Sequence, residues 1–260
     1  MSELVTVEQA GAVLQIGVNR PKKINAWNVE IIQAVAQAYT DLSNDDALRV
    51  GLLFGHGDHF SAGLDLMDVA PQLANNAIDA ILPENLCDPW DFLGEPCTKP
   101  IVLAVQGRCN TLGIELALAS QAVVAADNTV FAQLEVARGI APLGGGSFRL
   151  ASRLGVLGAQ WLLTAEDFDA KQALQAGLVS ELVPVGQHVN RAMEIANTIA
   201  ANAPLAVQMA LASQRAAERP ARDAAAQVLR DHAQTLIQSE DAKEGMMAMI
   251  EKRDPAFQGK

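Results

Sequence analysis

The sequence predicts an α/β protein whose last third is helical. Short β-type runs alternate with helical patterns in the first part of the 260-residue chain, and the residues beyond His188 are rich in alanine with helical periodicity. The segment Pro100–Asp127 combines a buried strand, a glycine-containing turn, a helix and a second strand, and it forms the centre of the predicted fold. We divide the chain into a core of residues 1–200 and a C-terminal helical region of residues 201–260.

Strands are predicted where apolar runs are bounded by turn residues, and helices where apolar residues recur at helical spacing beside capping residues or prolines. The predicted strands are Leu4–Val7, Val13–Val18, Val50–Phe54, Ile101–Val105, one ending before Asp127, Val130–Gln133 and Leu178–Val183. The predicted helices are Val29–Leu42, one beginning after a Thr111 cap, Ser147–Arg153, Ala159–Leu163, Ala170–Ala176, Val189–Ala201, Leu205–Glu218, Ala221–Gln238 and Asp241–Arg253. Residues 66–98 contain four prolines and are predicted to be irregular, and Pro220 is predicted to separate two helices.

Composition and charge limit the possible functions. Half of the residues are hydrophobic, which is enough for one large core, and the net charge of −11 argues against nucleic acid as the main partner. An apolar run of about 18 residues and a basic, then apolar leader are both lacking, so we expect neither a membrane span nor a secretory signal. Cys87, Cys97 and Cys109 have neither disulfide nor zinc spacing, which favours a reducing cytoplasm.

One carboxylate in the central segment has unusual surroundings. Glu115 lies in the first turn of the predicted helix, among Leu112, Ile114 and Leu116. An ionised carboxylate in so apolar a setting is costly unless it is paired or used. The start of a helix also offers unpaired backbone N–H groups, which stabilise a developing negative charge. For Glu115 alone, catalysis and a solvated helix face are equally good interpretations.

A second glutamate, Glu135, follows the predicted strand Val130–Gln133. By itself it could be a strand-edge residue with an outward side chain. Because Glu115 and Glu135 both come at the end of successive strand units, a sheet could bring them to one cavity. Two carboxylates in one cavity repel each other, which raises one pKa and creates an acid/base pair. The residues therefore indicate acid/base chemistry beside an oxyanion site.

Other motifs favour structural interpretations. His56 and His59 lack a third ligand, so we interpret them as solvated loop histidines and predict no metal. Gly144–Gly146 matches neither the GxGxxG nor the GxxxxGK(S/T) pattern of phosphate-binding loops and indicates a tight turn at a helix start. A GxSxG elbow is lacking, so no serine is an evident nucleophile. Trp90 and Phe92 could line an apolar pocket or pack in the core.

Several longer segments match one known family in order along the chain, from about Val5 to the C-terminus. The most specific are SAGLD at residues 61–65 and PLGGG at residues 142–146. The others are Arg20–Ala26, Lys99–Gly107, Phe131–Glu135, Ala173–Val179 and Lys243–Arg253. Through these segments the sequence resembles the crotonase family, the enoyl-CoA hydratases and isomerases.

The resemblance implies a crotonase-type spiral of repeated ββα units and a C-terminal helical region that mediates trimerisation, as a trimer or a dimer of trimers. It implies no cofactor, since coenzyme A (CoA) is part of the substrate. It also implies that the thioester carbonyl is held by two backbone N–H groups, those of Ala62 and Leu112. The position of the Leu112 N–H at the start of a helix agrees with this role, because the helix dipole there favours an enolate-like oxygen.

In the hydratases of this family two glutamates hold the attacking water, and their positions match Glu115 and Glu135. The resemblance therefore implies that Glu115 activates water for addition at C3 of a trans-2-enoyl-CoA and that Glu135 delivers a proton at C2. Isomerases of the family commonly retain only the second glutamate. The CoA moiety is expected along Lys22, Lys23, Ala26, Ala62, Gly63, Leu64 and Asp65, and against Phe257 or Lys260 of a neighbouring subunit.

Thr111-Leu112-Gly113 departs from the Gly-Gly-Gly run that typical hydratases have before the first glutamate. The backbone N–H of Leu112 survives this change, but its side chain reshapes the acyl pocket and forbids backbone angles that only glycine adopts. Three hypotheses follow. The leading one is an enoyl-CoA hydratase, because both glutamates are present. The others are another acyl-CoA enzyme of the family (an isomerase, thioester hydrolase or decarboxylase) and a non-catalytic acyl-CoA-binding protein.

Overall fold

The computed structural model describes residues 3–74 and 81–260. Its strands are β1 (Val5–Ala10), β2 (Val13–Val18), β3 (Val50–Gly55), β4 (Ile101–Val105), β5 (Arg108–Asn110), β6 (Ala122–Ala126), β7 (Val130–Ala132), β8 (Phe168–Asp169) and β9 (Glu181–Val183). Its α-helices are α1 (Val29–Asn44), α2 (Leu66–Ala74), α3 (Leu112–Ala119), α4 (Gly146–Thr164), α5 (Ala170–Ala176), α6 (His188–Ala200), α7 (Pro204–Gln238) and α8 (Glu240–Glu251). Two short 3-10 helices cover Pro21–Lys23 and Val136–Arg138.

The larger sheet has the strand order β1-β2-β3-β4-β6-β9. Strands β1 and β2 are antiparallel, and every other neighbouring pair is parallel. One face packs against α6 through residues such as Val50, Val102 and Ala192, and the other against the main core, which includes Ile31 of α1. Because helices cover both faces, the central strands are continuous apolar runs, as the sequence indicates for Ile101–Val105.

A smaller sheet explains how distant residues meet. Strand β5 runs parallel to β7, which pairs antiparallel with β8. Ser61 forms a further parallel bridge with Cys109 of β5, so the 61–65 loop runs in the same direction beside it. Adjacent parallel segments end at the same edge of a sheet. The 61–65 loop, β5 and β7 therefore run side by side in the same direction. They lead to residue 64, helix α3 and residue 135, respectively.

The C-terminal region differs from the predicted series of separate helices. Helix α7 is continuous over 35 residues with Pro220 inside it, so the prediction of a helix end there was wrong. Proline removes one backbone hydrogen bond, but ion pairs anchor the helix on both sides of it. Arg215 and Arg222 both bind Asp91, at 3.0 and 3.1 Å. Tertiary contacts therefore compensate for the local helix breaker.

Helix α4 is interrupted at Gly155, at φ 62° and ψ −140°, so residues 146–164 form two helical segments, as predicted for Ser147–Arg153 and Ala159–Leu163. Another element extends beyond the predictions. Residues 66–74 form a helix despite Pro71, and residues 75–80 of the predicted irregular segment lie outside the described residues.

Within the described chain, no single helix could cross a membrane. The pair α6 and α7, bent by 106°, reaches the required length and apolar composition together.

Candidate active site

The segments of the small sheet lead to an apolar cavity of about 370 Å³. Its core-side lining includes Leu64, Leu112, Glu115, Leu143 and Gly144, and Trp90 and Phe92 lie beside them. Helix α7 closes the cavity with Leu229, Arg230, Ala233, Gln234 and Ile237. The cavity therefore draws on both predicted divisions of the chain, and is not confined to residues 1–200.

Glu115 is held from one side by a glycine turn. It is 3% exposed, and its Oε1 accepts hydrogen bonds from the backbone N–H groups of Gly144 at 2.7 Å and Gly146 at 2.9 Å. A Cβ at Gly144 would lie 2.9 Å from Glu115 Oε2, so this approach requires glycine. Burial raises the pKa of Glu115 to about 7, although the two N–H groups and Arg149 act to lower it.

Glu135 has fewer donors. It is 8% exposed, and the Gln133 side-chain amide donates to its Oε1 at 3.2 Å. Its Oε2 is buried and has no hydrogen-bond partner within the described part of the chain. Burial, and then the charge of Glu115, raise the pKa of Glu135 to about 8, while Arg138 acts to lower it. The charge of Glu115 acts on Glu135, so the two carboxyl groups are neighbours, but only Glu115 is among the described residues that line the cavity.

The backbone donors differ from the expected pair. Ala62 N–H donates to the carbonyl oxygen of Ile24 at 2.8 Å, so it is already occupied and cannot serve as the expected oxyanion donor. Two residues along the chain, Leu64 lines the cavity, as does Leu112. Among the described hydrogen bonds, neither Leu64 N–H nor Leu112 N–H donates to a protein acceptor. These two amides are the candidates for binding an oxygen in the cavity.

The departure from a glycine run places strain at Thr111 and not at Leu112. Thr111 has φ 50° and ψ −110°, a region that β-branched residues rarely adopt, and its side chain does not cap α3 as predicted. Leu112 does not have a positive φ, so its side chain requires no glycine-only conformation. Gly63, at φ 101°, faces Thr111, and a Cβ there would overlap the Thr111 hydroxyl.

The residues expected along CoA occupy two different surroundings. Asp65 binds Arg20 at 2.7 Å, and Arg20 also donates to the carbonyl oxygen of Ala26 at 3.0 Å. Asp65 therefore tethers one loop to another. Lys22 and Lys23 are exposed on the 3-10 turn and, among the described ion pairs, bind no carboxylate.

The chain end folds back on its own helix. Lys260 accepts a hydrogen bond from Asp241 N–H at 3.1 Å through its carbonyl oxygen, at the start of α8. Phe257 is 40% exposed. Neither residue lines the cavity in the described part of this chain, so a role at a neighbouring subunit's site stays a prediction.

The two loop histidines have protein partners. His56 Nε2 contacts Thr6 Oγ1 at 2.8 Å, and His59 Nδ1 accepts from Arg108 N–H at 3.1 Å. Within residues 3–74 and 81–260, no group of three His, Cys, Asp or Glu side chains could hold a metal ion. The described residues therefore offer no metal-binding cluster.

Two buried carboxyl groups that interact electrostatically, one of them in the wall of an apolar cavity, are the arrangement expected for acid/base chemistry on an apolar substrate. Comparison with known proteins makes this class specific. The enoyl-CoA hydratase/isomerase family model matches residues 8–260. The chain therefore belongs to the crotonase family of enoyl-CoA hydratases and isomerases.

Individual relatives agree with this assignment. The chain is 32% identical over 265 residues to an enoyl-CoA hydratase of Mycobacterium tuberculosis, covering 98% of this chain and 96% of that protein. It is 33% identical over 261 residues to the 2,3-dehydroadipyl-CoA hydratase of Escherichia coli strain K12, with full coverage of both.

Solved structures show the same fold. A probable enoyl-CoA hydratase/isomerase from Mycobacterium abscessus is 42% identical, with a TM-score of 0.81 over 99% of both chains. A carnitinyl-CoA hydratase from Mycobacterium avium is 31% identical, with a TM-score of 0.86 over both full chains. The predicted crotonase-type α/β fold with its C-terminal helical region is confirmed.

Sequence reasoning missed three parts of the site. The glycine run 144–146 indicates a turn but not that its N–H groups bind Glu115. Gln133, fully buried next to Glu135, has no distinguishing pattern beyond its place in FAQLE. Leu64 lies within the SAGLD motif, but its N–H becomes the candidate donor only once the Ala62 hydrogen bond is known.

Proposed function

We propose that this protein adds water across the double bond of a trans-2-enoyl-CoA thioester. The observation that supports this most directly is the unequal pair of buried glutamates. Glu135, with a pKa raised to about 8, holds a proton at neutral pH, whereas Glu115, with a pKa raised to about 7 and two N–H donors, is the one that ionises first. The pair therefore supplies one acid and one base together.

We assign the oxyanion site to the N–H groups of Leu64 and Leu112, replacing the pair Ala62 and Leu112. Both line the cavity that contains Glu115, and Leu112 begins helix α3, whose dipole favours a negative oxygen. The thioester carbonyl oxygen gains charge when a nucleophile adds at C3. Loss of one such donor typically lowers kcat by about 10²–10³-fold.

The reaction follows from these positions. Glu115 accepts a proton from water, whose oxygen forms a bond to C3, and the electron pair of the C2–C3 double bond moves toward the thioester carbonyl. Glu135 then gives its proton to C2, which yields a 3-hydroxyacyl-CoA. The proton taken up by Glu115 equals the one lost by Glu135, so the pair returns to its starting charge. Gly144 and Gly146 orient Glu115 by holding Oε1, and Oε2 is left for the water.

The remaining assignments concern CoA and assembly. We infer that Lys22 and Lys23, beside Ala26, attract the CoA phosphates, and their exposure supports this. We infer that the enzyme needs no group other than its CoA substrate, works in a reducing cytoplasm in keeping with its three free cysteines, and associates as a trimer or dimer of trimers. Exposed Met247 and Ile250 on α8 favour burial between subunits, with Phe257 and Lys260 near a neighbouring CoA.

Mass analysis of the product tests the proposal. Crotonyl-CoA incubated with the wild type should gain the mass of one water, and Glu115→Gln and Glu135→Gln should each lower kcat by about 10²–10⁴-fold while the proteins remain folded. Glu166→Gln, an exposed glutamate outside the cavity, serves as the matched control. A protein that binds a saturated acyl-CoA but converts no enoyl-CoA would be a non-catalytic acyl-CoA-binding protein.

A second candidate is a different reaction of the same family. The Leu112 side chain, where typical hydratases have glycine, lines the same cavity as Glu115, reduces the space for the acyl group and favours an acyl group other than a simple fatty chain. Relatives named as carnitinyl-CoA dehydratases, such as one from Salmonella agona at 32% identity, act on such a group by their names. A panel of acyl-CoAs with product identification separates hydration from isomerisation, thioester hydrolysis and decarboxylation.

A further inference from the structure

One loop over the cavity, Asp88–Cys97, is fixed from within by its first residue. We refer to it as the Trp90 loop. Asp88 is 3% exposed, and its carboxylate accepts the backbone N–H groups of Trp90 at 2.9 Å, Phe92 at 3.0 Å and Leu93 at 2.9 Å. Asp88 therefore sets the loop's internal conformation, and the loop needs other contacts to hold it in place on the protein.

Those contacts come from a neighbouring residue, Asp91. Its carboxylate lies 3.0 Å from Arg215 and 3.1 Å from Arg222 on α7, and 4.0 Å from Arg149 on α4. The Asp91 side chain is 11% exposed, so solvent weakens these pairs less than it weakens surface pairs. Asp91 also has φ 47°, a left-handed conformation that aspartate tolerates better than most residues.

The same arginines bind the loop's backbone. Arg149 is 1% exposed and donates to the carbonyl oxygens of Trp90 at 2.6 Å and Asp91 at 2.5 Å. Arg215 donates to the carbonyl oxygen of Cys97 at 2.6 Å. Asp91 thus lies beside three guanidinium groups, and two of them, those of Arg149 and Arg215, bind the backbone near the start and at the end of the loop.

The loop carries Trp90 against the candidate catalytic base. A Cβ at Gly144 would lie 2.7 Å from Trp90 Cδ1 and 2.9 Å from Glu115 Oε2, so the indole ring and the carboxylate both border the space beside this glycine. On its other side, Trp90 packs against Trp27 with ring centroids 5.9 Å apart. A displaced loop would open this wall of the cavity beside Glu115.

We propose that Asp91 is a positioning residue that acts through Trp90. By binding the arginines of α4 and α7, it holds the indole ring beside Glu115 and so fixes this wall of the acyl pocket. The inference rests on the acyl-CoA site of the proposed function, and it adds a residue outside the cavity lining to the determinants of that site.

The first test compares Asp91→Ala and Asp91→Asn with the wild type. Asp91→Ala should weaken butyryl-CoA binding and lower kcat/KM for crotonyl-CoA by about tenfold or more, because small displacements of positioning groups have large effects. Asp91→Asn keeps the side-chain volume and should show an intermediate loss, which preserves the test if the alanine variant does not fold. Glu218→Gln serves as the control: it removes an ion pair between α7 and Arg153 of α4, at 2.6 Å, that does not involve the loop. It should leave butyryl-CoA affinity and kcat/KM unchanged.

A double-mutant cycle separates positioning from general support of the fold. If Asp91 acts through Trp90, Asp91→Ala should have no further effect on butyryl-CoA affinity in a Trp90→Ala background. Additive losses, or wild-type affinity and kcat/KM in both Asp91 variants, would overturn the inference. Butyryl-CoA cannot be hydrated, so the affinity cycle remains informative if the wild type adds no water to crotonyl-CoA, and that failure would concern the proposed function alone.

Discussion

Glutamine at position 135 should remove activity and stabilise the fold at high pH. The pKa of Glu135 rises from 4.5 to about 8, so between these values the folded protein must hold a proton that the unfolded chain releases. At about 1.36 kcal/mol per pKa unit, the shift corresponds to roughly 5 kcal/mol. As far as Glu135 is concerned, the wild-type free energy of unfolding is therefore highest below pH 4.5 and decreases up to about pH 8. The Glu135→Gln variant avoids this loss.

Urea unfolding at pH 5, 7 and 9 measures this effect. We expect equal free energies of unfolding near pH 5 and a variant more stable by about 2–4 kcal/mol at pH 9, since part of the shift comes from Glu115 and relaxes with it. The exposed Glu166→Gln variant should follow the wild type at every pH. A Glu135→Gln variant that is equally stable or less stable at pH 9 would refute the assignment of a buried, repelled carboxyl group.

Three further predictions concern the surroundings of the pair. Gly144→Ala places a Cβ 2.9 Å from Glu115 Oε2 and should lower kcat/KM for crotonyl-CoA by about 10²-fold. Thr111→Gly relieves the backbone at φ 50° and should raise the free energy of unfolding in urea by about 1 kcal/mol; a destabilised variant would show that Thr111 is not strained. Replacing Lys22 and Lys23 together by alanine should raise KM roughly threefold to tenfold at low salt with kcat unchanged, and an unchanged KM would remove them from the CoA site.

Local patterns were sufficient for much of the fold. The apolar run Ile101–Val105 and the periodicity of Val29–Leu42 correspond to β4 and α1, because burial on one or both faces leaves a regular pattern in sequence. Strand β5 was missed, since Arg108-Cys109-Asn110 has a single apolar residue and therefore neither an apolar run nor an alternation to detect. The continuity of α7 through Pro220 was missed because it depends on ion pairs to Asp91, far away in the sequence.

The same distinction applies to the site. Glu115 was predicted as a site residue because a carboxylate among apolar residues is costly, and Glu135 because it follows the next strand unit; both match the glutamate positions of the family. The N–H of Leu64, which has no acceptor among the described hydrogen bonds, was not predicted as a donor, since this depends on the hydrogen bond that Ala62 forms with Ile24. The hydrogen bonds from Arg149 to the Trp90 loop were also not predicted, because their acceptors lie 58 and 59 residues away in the sequence.

The pH dependence of kcat/KM for crotonyl-CoA hydration, measured for the wild type and both glutamine variants, tests the central claim most directly. The account predicts a maximum between about pH 7 and 8, with activity lost at lower pH as Glu115 is protonated and at higher pH as Glu135 ionises. Each variant should lose activity by about 10²-fold or more across the range. A flat wild-type profile from about pH 6 to 9, or a variant that retains full turnover, would contradict a reaction carried by this pair.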